Sequence, residues 1–188
     1  MNQVHNRLCS SRWWAQRVEQ KLIPWGLEGV ELGSDVLEIG PGFGATTELL
    51  AERVERLTVV ELDRGYCERL RSALGSRVEV LQGDATALPF EAGRFSAVVC
   101  FTMLHHIPER QLQDRALAEA ARVLRPGGTF AGTDSVGTGF VFKLIHIGDT
   151  LLPIDPEEMG ARLERAGLAE PGVERVNGSF RFRARKPG

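Results

Sequence analysis

The chain alternates short apolar runs with stretches of helical period. The runs are Val36-Leu37-Glu38-Ile39, Leu57–Leu62, Val78–Gln82, Arg94–Phe101 and Thr129–Asp134. Runs of this length read as strands, and the fourth is near-continuously apolar, as a strand covered on both faces should be. Between them lie helical patterns: Ala45–Ala51; Gly65–Leu74, with Tyr66, Leu70, Ala73 and Leu74 on one face; and a helix from about Glu109 burying Leu112, Ala116, Ala120, Val123 and Leu124. Arg125-Pro126-Gly127-Gly128 closes that helix as a turn. Asp155 and Pro156 begin another helix, running to Ala166. Val173–Val176 and Ser179–Arg185 make a hairpin through Asn177-Gly178, a strong two-residue turn signal. Strand and helix in alternation predict a doubly wound α/β architecture, read as one domain over residues 1–188.

Two segments flank this core. Residues 1–33 read as a helical preface in which Trp13, Arg17, Gln20 and Lys21 share one face and Trp14, Val18 and Leu22 another. Ser10 or Ser11 caps its start, and Pro24 and Gly26 end it. Of the adjacent tryptophans, one is expected in the core while the other roofs a pocket; the plainer alternative is that both anchor the helix. The apolar stretch Phe140–Leu152, containing His146 and Asp149, reads as a helix or as part of a substrate lid over 135–155. Near the end, Arg181, Arg183 and Arg185 alternate with Phe180, Phe182 and Ala184, the pattern of an edge strand's polar face.

Composition narrows the function only modestly. With 43% hydrophobic and 26% charged residues the balance is that of a globular domain. A formal net charge of −2 gives no general basic field, so neither nucleic acid nor an anionic membrane is expected as a partner. No run approaches the roughly 20 apolar residues of a membrane helix, and the start lacks the plan of a secretory signal. Cys9, Cys67 and Cys100 are odd in number and widely spaced, as in reduced thiols of a cytoplasmic protein.

The chemistry starts where the first strand breaks into Gly40-Pro41-Gly42-Phe43-Gly44. Glycine serves where a backbone bends sharply and lets a ligand approach without a Cβ in the way, and a following helix N-terminus presents N–H groups. Gly40, Gly42 and Ala45 satisfy the dinucleotide fingerprint, a weak signal alone. Glu61 stands 19 positions beyond Gly42, at the end of the second strand. An acid there grips ribose hydroxyls, since two carboxylate oxygens match a vicinal diol. Asp63 competes for that role but stands better as the next helix's N-cap.

Glu38, Gly40, Pro41, Gly42 and Gly44 together form an E-x-G-x-G-x-G pattern that resembles motif I of the class I S-adenosylmethionine (SAM)-dependent methyltransferases. The octet Gly83-Asp84-Ala85-Thr86-Ala87-Leu88-Pro89-Phe90 resembles a segment of the family's small-molecule members, and Leu-Arg-Pro-Gly-Gly at 124–128 is also frequent there. The likeness spans roughly Val36 to Asp134. It implies a mostly parallel seven-stranded sheet with an antiparallel C-terminal hairpin. It also implies SAM as cofactor and S-adenosylhomocysteine as product, held by Glu38, Gly40, Pro41, Gly42, Gly44, Glu61, Leu62, Asp84, Ala85, Phe101 and Thr102. In that scheme Glu38 lies near the methionine end, while Asp84 and the Ala85 N–H mirror the donor and acceptor of the adenine edge.

The implied reaction is in-line displacement on the sulfonium methyl, for which alignment and a dry cavity suffice unless the acceptor must lose a proton. His105 and His106, directly after the fourth strand, are the candidate catalytic bases; the plainer alternative is that they shape the pocket. No third ligand stands at metal-site spacing. The expected acceptor is a small, largely apolar molecule between the preface and Phe140–Leu152, with a homodimer left open. Two other classes stay open: an NAD(P)-dependent oxidoreductase, which would leave the Asp84 segment unexplained, and a non-catalytic SAM-binding protein.

Overall fold

The computed structural model describes residue 7, residues 10–137 and residues 150–188. Cys9 and residues 138–149, the greater part of the expected lid, lie outside the described residues. The strands are β1 (Asp35–Ile39), β2 (Arg56–Glu61), β3 (Glu79–Gln82), β4 (Phe95–Phe101), β5 (Leu124–Ser135), β6 (Ala169–Val176) and β7 (Ser179–Arg185). They form one seven-stranded sheet in the order β3-β2-β1-β4-β5-β7-β6. The first five pair in parallel, and β7 runs antiparallel between β5 and β6. This is the doubly wound architecture, with an antiparallel C-terminal hairpin, that the resemblance implies. Winding reverses between β1 and β4, and such a switch point leaves a crevice beyond the strands' carboxyl ends.

The period of two in each strand builds two apolar layers. Leu37, Ile39, Val60, Val98 and Cys100 face one cluster, completed by Leu117, Phe130, Phe180 and Phe182. Val36, Val59, Ala97, Val99 and Phe101 face the other, with Val18, Ile23, Leu50 and Leu70. Burying a side chain of this size contributes about 1.5–3 kcal/mol relative to exposure.

Three of the described helices start by a local rule visible in the sequence. The helices are α1 (Arg12–Arg17), α2 (Ile23–Gly26), α3 (Ala45–Ala51), α4 (Arg64–Leu74), α5 (Arg110–Val123) and α6 (Pro156–Arg165). Ser11, Asp63 and Asp155 cap α1, α4 and α6 with side-chain oxygens that accept from Trp14, Tyr66 and Glu157 N–H. Helix α4 buries Cys67, Leu70 and Leu74, whereas Ala73, expected on that face, is exposed.

Three expectations change. The preface does not stop at Pro24: a π-helical turn, Val18–Leu22, links α1 to α2. Pro24 thereby falls in the first turn of α2, where a missing N–H costs no intrahelical bond. Arg125–Gly128 is not a free turn but a bulge inside β5: Phe95 pairs Leu124 and Ala97 pairs Thr129. Gly127 and Gly128 exchange hydrogen bonds with Lys186 at 2.9 and 2.8 Å, which holds the bulge in the sheet. The arginines of β7 lie on an interior strand, since β6 occupies the edge. Arg181 spends its charge internally, donating to Trp25 O at 2.7 Å and pairing with Glu28 and Glu174.

Candidate functional site

A cavity of about 580 Å³ opens at the carboxyl ends of β1, β2 and β4, a volume in the range of small-ligand sites. Gly40, Pro41 and Gly42 form one wall, Glu61 and Leu62 a second, and Asp84 and Ala85 a third. Phe101, Thr102, Met103 and His106 close the side after β4. Trp14, Val18 and Leu22 cover it from the N-terminal helix, with the π-turn contributing Val18 and Leu22. Such turns recur at functional sites because they re-aim side chains.

The glycine loop is shaped for room rather than for donors. Gly40, Gly42 and Gly44 have φ of +65°, +56° and +85°, a region costly for residues with a Cβ. Their N–H groups are all spent inside the protein, on Val60 O, Glu61 Oε2 and Pro41 O. A Cβ on Gly40 would overlap Met103 Cγ and one on Gly44 would overlap Leu70, whereas one on Gly42 would meet nothing within 4 Å. Gly42 is where the loop leaves space for something other than protein.

Glu61 is 8% exposed and spans the loop and its own strand end. Oε2 accepts from Gly42 N–H at 3.0 Å and Oε1 from Asp63 N–H at 2.9 Å. Each carboxylate oxygen accepts more than one hydrogen bond, so a two-donor diol still fits. Asp84 Oδ1 accepts from Thr86 N–H at 2.8 Å, which orients the other oxygen and the Ala85 amide together. This arrangement suits a nucleoside: the two oxygens of one carboxylate for ribose, an acceptor beside a donor for adenine, and open backbone between them.

Two expected cofactor residues sit elsewhere. Gly44 is buried under the loop, capping α3. Glu38 is 1% exposed and lies behind Thr46, whose hydroxyl donates to Oε1; Oε2 has no partner among the described residues. Burial pushes the Glu38 carboxyl up to about 7, opposed by the Thr46 bond and reinforced by the Glu61 charge. Glu38 thus reaches the cavity through Thr46, which lines it.

The two histidines separate. His105 is 2% exposed, and its Nδ1 donates to Asp134 Oδ1, while its backbone N–H donates to Oδ2 at 3.2 Å. His106 lines the cavity, and its Nδ1 stands 3.3 Å from Thr150 O. A carbonyl only accepts, so that bond puts the neutral ring's proton on Nδ1 and leaves Nε2 as the basic nitrogen. Thr102 adopts φ +51°, rare for a residue with a branched Cβ. Its N–H donates to Thr133 O at 2.8 Å, which turns the chain out of β4 toward the cavity. Gln113 Nε2 donates to Leu104, Ile107 and Leu152 carbonyls and so ties both sides of the histidine turn to α5.

Sequence reasoning missed Met103, Tyr66 and Thr150 on the cavity wall and Asp134 behind it. Asp134 had a readable signal: an acid ending an otherwise apolar strand that turns out wholly buried. Among the described residues no group of three His, Cys, Asp or Glu side chains is placed to hold a metal ion. Cys67 and Cys100 are buried free thiols, and burial raises the pKa of both. No helix among the described residues is long and apolar enough to cross a membrane.

The fold and site define a Rossmann-like domain with a nucleoside crevice at its switch point. Residues 36–128 match the model of the methyltransferase domain family. Over those residues the chain is a methyltransferase domain, and its sheet shares the class I methyltransferase fold. One similar protein is the ribosomal RNA small subunit methyltransferase A of Cupriavidus pinatubonensis, 57% identical over 60 residues, which are 31% of this chain and 22% of that protein. Another is a fatty-acid O-methyltransferase of Mycolicibacterium smegmatis, 39% identical over 108 residues, 55% of this chain and 38% of that one. This chain therefore spans well under half the length of these curated relatives. Among solved structures, phosphoethanolamine N-methyltransferase 2 of Haemonchus contortus, in complex with phosphomonomethylethanolamine and S-adenosylhomocysteine, shares the fold at a TM-score of 0.75. It is 18% identical, with 93% of this chain and 53% of that one covered.

These relatives correct one expectation. Nucleic acid was excluded as a partner on the net charge of −2, yet several curated relatives are ribosomal RNA methyltransferases. Net charge is a sum over the chain and does not describe any one surface. Arg125, Arg183 and Arg185 gather around a second cleft, at the opposite end of the sheet. The exclusion is withdrawn.

Proposed function

We propose that this chain transfers the methyl group of SAM to an oxygen on a small, largely apolar acceptor. The observation that carries this reading is the apolar part of the cavity's lining: Trp14, Val18, Leu22, Met103 and Ile107, with His106 among them. Apolar walls with one titratable group suit a lipophilic body bearing a single reactive polar atom. The relative that is a fatty-acid O-methyltransferase supports the same class.

The cofactor supplies a methyl group that is already electrophilic. Glu61 and Asp84 hold and orient the nucleoside end, and Gly42 admits it against bare backbone. Trp14, Val18 and Leu22 exclude water and align the acceptor, the largest contribution that a positioning site makes. His106 Nε2 faces an acceptor hydroxyl and takes its proton; an acceptor carboxylate, ionised at neutral pH, needs only alignment.

Incubation of the protein with methyl-labelled SAM, with medium-chain carboxylic acids, with phenols and with small-subunit ribosomal RNA tests this. Label is expected in an organic-extractable ester or ether. Label in the RNA alone would overturn the acceptor class, and no label with any acceptor despite bound S-adenosylhomocysteine would favour a non-catalytic SAM-binding protein.

A further inference from the structure

We propose that Asp134 is a positioning residue for the His106 side chain, acting through His105. This rests on the reading of His106 given above and assigns a role to an acid at the end of β5.

Asp134 is 0% exposed, and both of its oxygens are committed to the turn after β4. Oδ2 accepts the His105 backbone N–H at 3.2 Å, and Oδ1 accepts the His105 ring Nδ1–H and the Ser135 N–H at 2.6 Å. One carboxylate thus fixes the His105 backbone and its ring at once. A carboxylate only accepts, so the neutral His105 ring carries its proton on Nδ1. The His105 ring then packs on that of His106, with centroids 4.2 Å apart and planes inclined by 41°. On the far side the His105 carbonyl accepts from Leu152 N–H at 2.8 Å, beside the Thr150 carbonyl that meets His106 Nδ1.

The consequence is a chain of contacts: Asp134 sets the His105 ring, His105 supports one face of His106, and the Thr150 carbonyl holds its Nδ1. A buried carboxylate aimed at a ring outside the cavity has no direct use on the substrate. Its use is to keep the His106 Nε2 pointed at one place. Only side chains locked by a second shell hold such a geometry closely enough for proton transfer.

The test is Asp134→Asn. Its amide has one acceptor oxygen where the carboxylate has two, so it cannot serve the His105 backbone N–H, the His105 ring N–H and the Ser135 N–H together, and the ring is released to the other tautomer. The expected result is a kcat about tenfold to a hundredfold lower, with the KM for SAM and the dissociation constant for S-adenosylhomocysteine unchanged. Ring ¹⁵N spectra are expected to show the His105 proton moving to Nε2 and the His106 signals shifting with it. If Asp134→Asn fails to fold, His105→Asn, which leaves the carboxylate a donor but removes the ring that packs on His106, carries the kcat and His106 measurements. Unchanged His106 signals in a folded variant would overturn the proposal whatever the activity. An unchanged kcat in Asp134→Asn, where His106→Gln is slowed, would overturn it and leave the His106 reading standing. Full activity in His106→Gln would instead remove the base, while the spectra still decide the coupling.

Discussion

The Glu61 carboxylate accepts the Gly42 N–H at 3.0 Å, across 19 positions of chain and between two parallel strands. The acid that is expected to hold the ribose therefore also holds the loop that makes room for it. Glu61→Gln keeps the size and replaces one acceptor by a donor facing a backbone N–H. Loss of a charge-assisted hydrogen bond costs about 1.5–3 kcal/mol, roughly tenfold to a hundredfold in affinity. Calorimetry with S-adenosylhomocysteine is expected to show that loss; an unchanged dissociation constant would remove Glu61 from the site.

The glycines separate by what surrounds them. Gly42→Ala adds a Cβ that meets no protein atom, so it is expected to lower the melting temperature slightly, through strain of about 1–2 kcal/mol, and to weaken S-adenosylhomocysteine markedly. Gly40→Ala overlaps Met103 and is expected to damage stability and binding together. Equal thermal shifts with equal binding in the two variants would contradict this division.

Glu38 makes a pH prediction. Its carboxyl is raised from the ordinary value of 4.5 to about 7, so the folded protein binds more protons than the unfolded chain between those values. Stability due to this group is complete below the unfolded value and is lost as pH rises through about 7, by roughly 3 kcal/mol at most. Thermal stability of the free protein is expected to fall from pH 5 to pH 8, and Glu38→Gln to flatten that dependence. A slope that survives Glu38→Gln would assign it to another group.

Arg181 holds the cavity's cover. Its side chain donates to Trp25 O at 2.7 Å and pairs with Glu28 and Glu174. Arg181→Met keeps most of the stem and removes those bonds. Hydrogen exchange over residues 12–28 is expected to accelerate while the parallel core, β1 to β4, stays protected. Exchange that rises equally everywhere would mean global loss rather than a loosened cover.

Much of the candidate crevice was legible because it depends on local chemistry at fixed spacing. Gly40, Gly42, Glu61 and Asp84 fall on three consecutive strand ends, and period-two strands bring such ends together in any doubly wound sheet. Asp63 and Asp155 were legible as caps for the same reason. What depends on long-range pairing was not. The bulge at Arg125–Gly128 reads as a turn until Lys186, just past the last strand, is seen to bond it. The separation of His105 from His106 is set by Asp134, 29 positions away from His105, and no local pattern encodes it. Glu38 was read as touching the cofactor because its spacing matches, yet Thr46 stands between it and the cavity.

The position of β7 gives the molecule a late step in its making. Strand β7 is inserted between β5 and β6, and it carries Arg181, which grips the carbonyl of Trp25 from 156 positions away. Synthesis runs from the N-terminus, so the glycine loop and the acids of β2 and the Asp84 turn emerge long before the residue that fastens their cover. A nascent chain would own the floor of its cavity without a secured roof. The last tie on that cover arrives with β7, so a chain interrupted before Ser179 keeps the packing of Val18 and Ile23 but leaves the Trp25 end more open to solvent and to proteases.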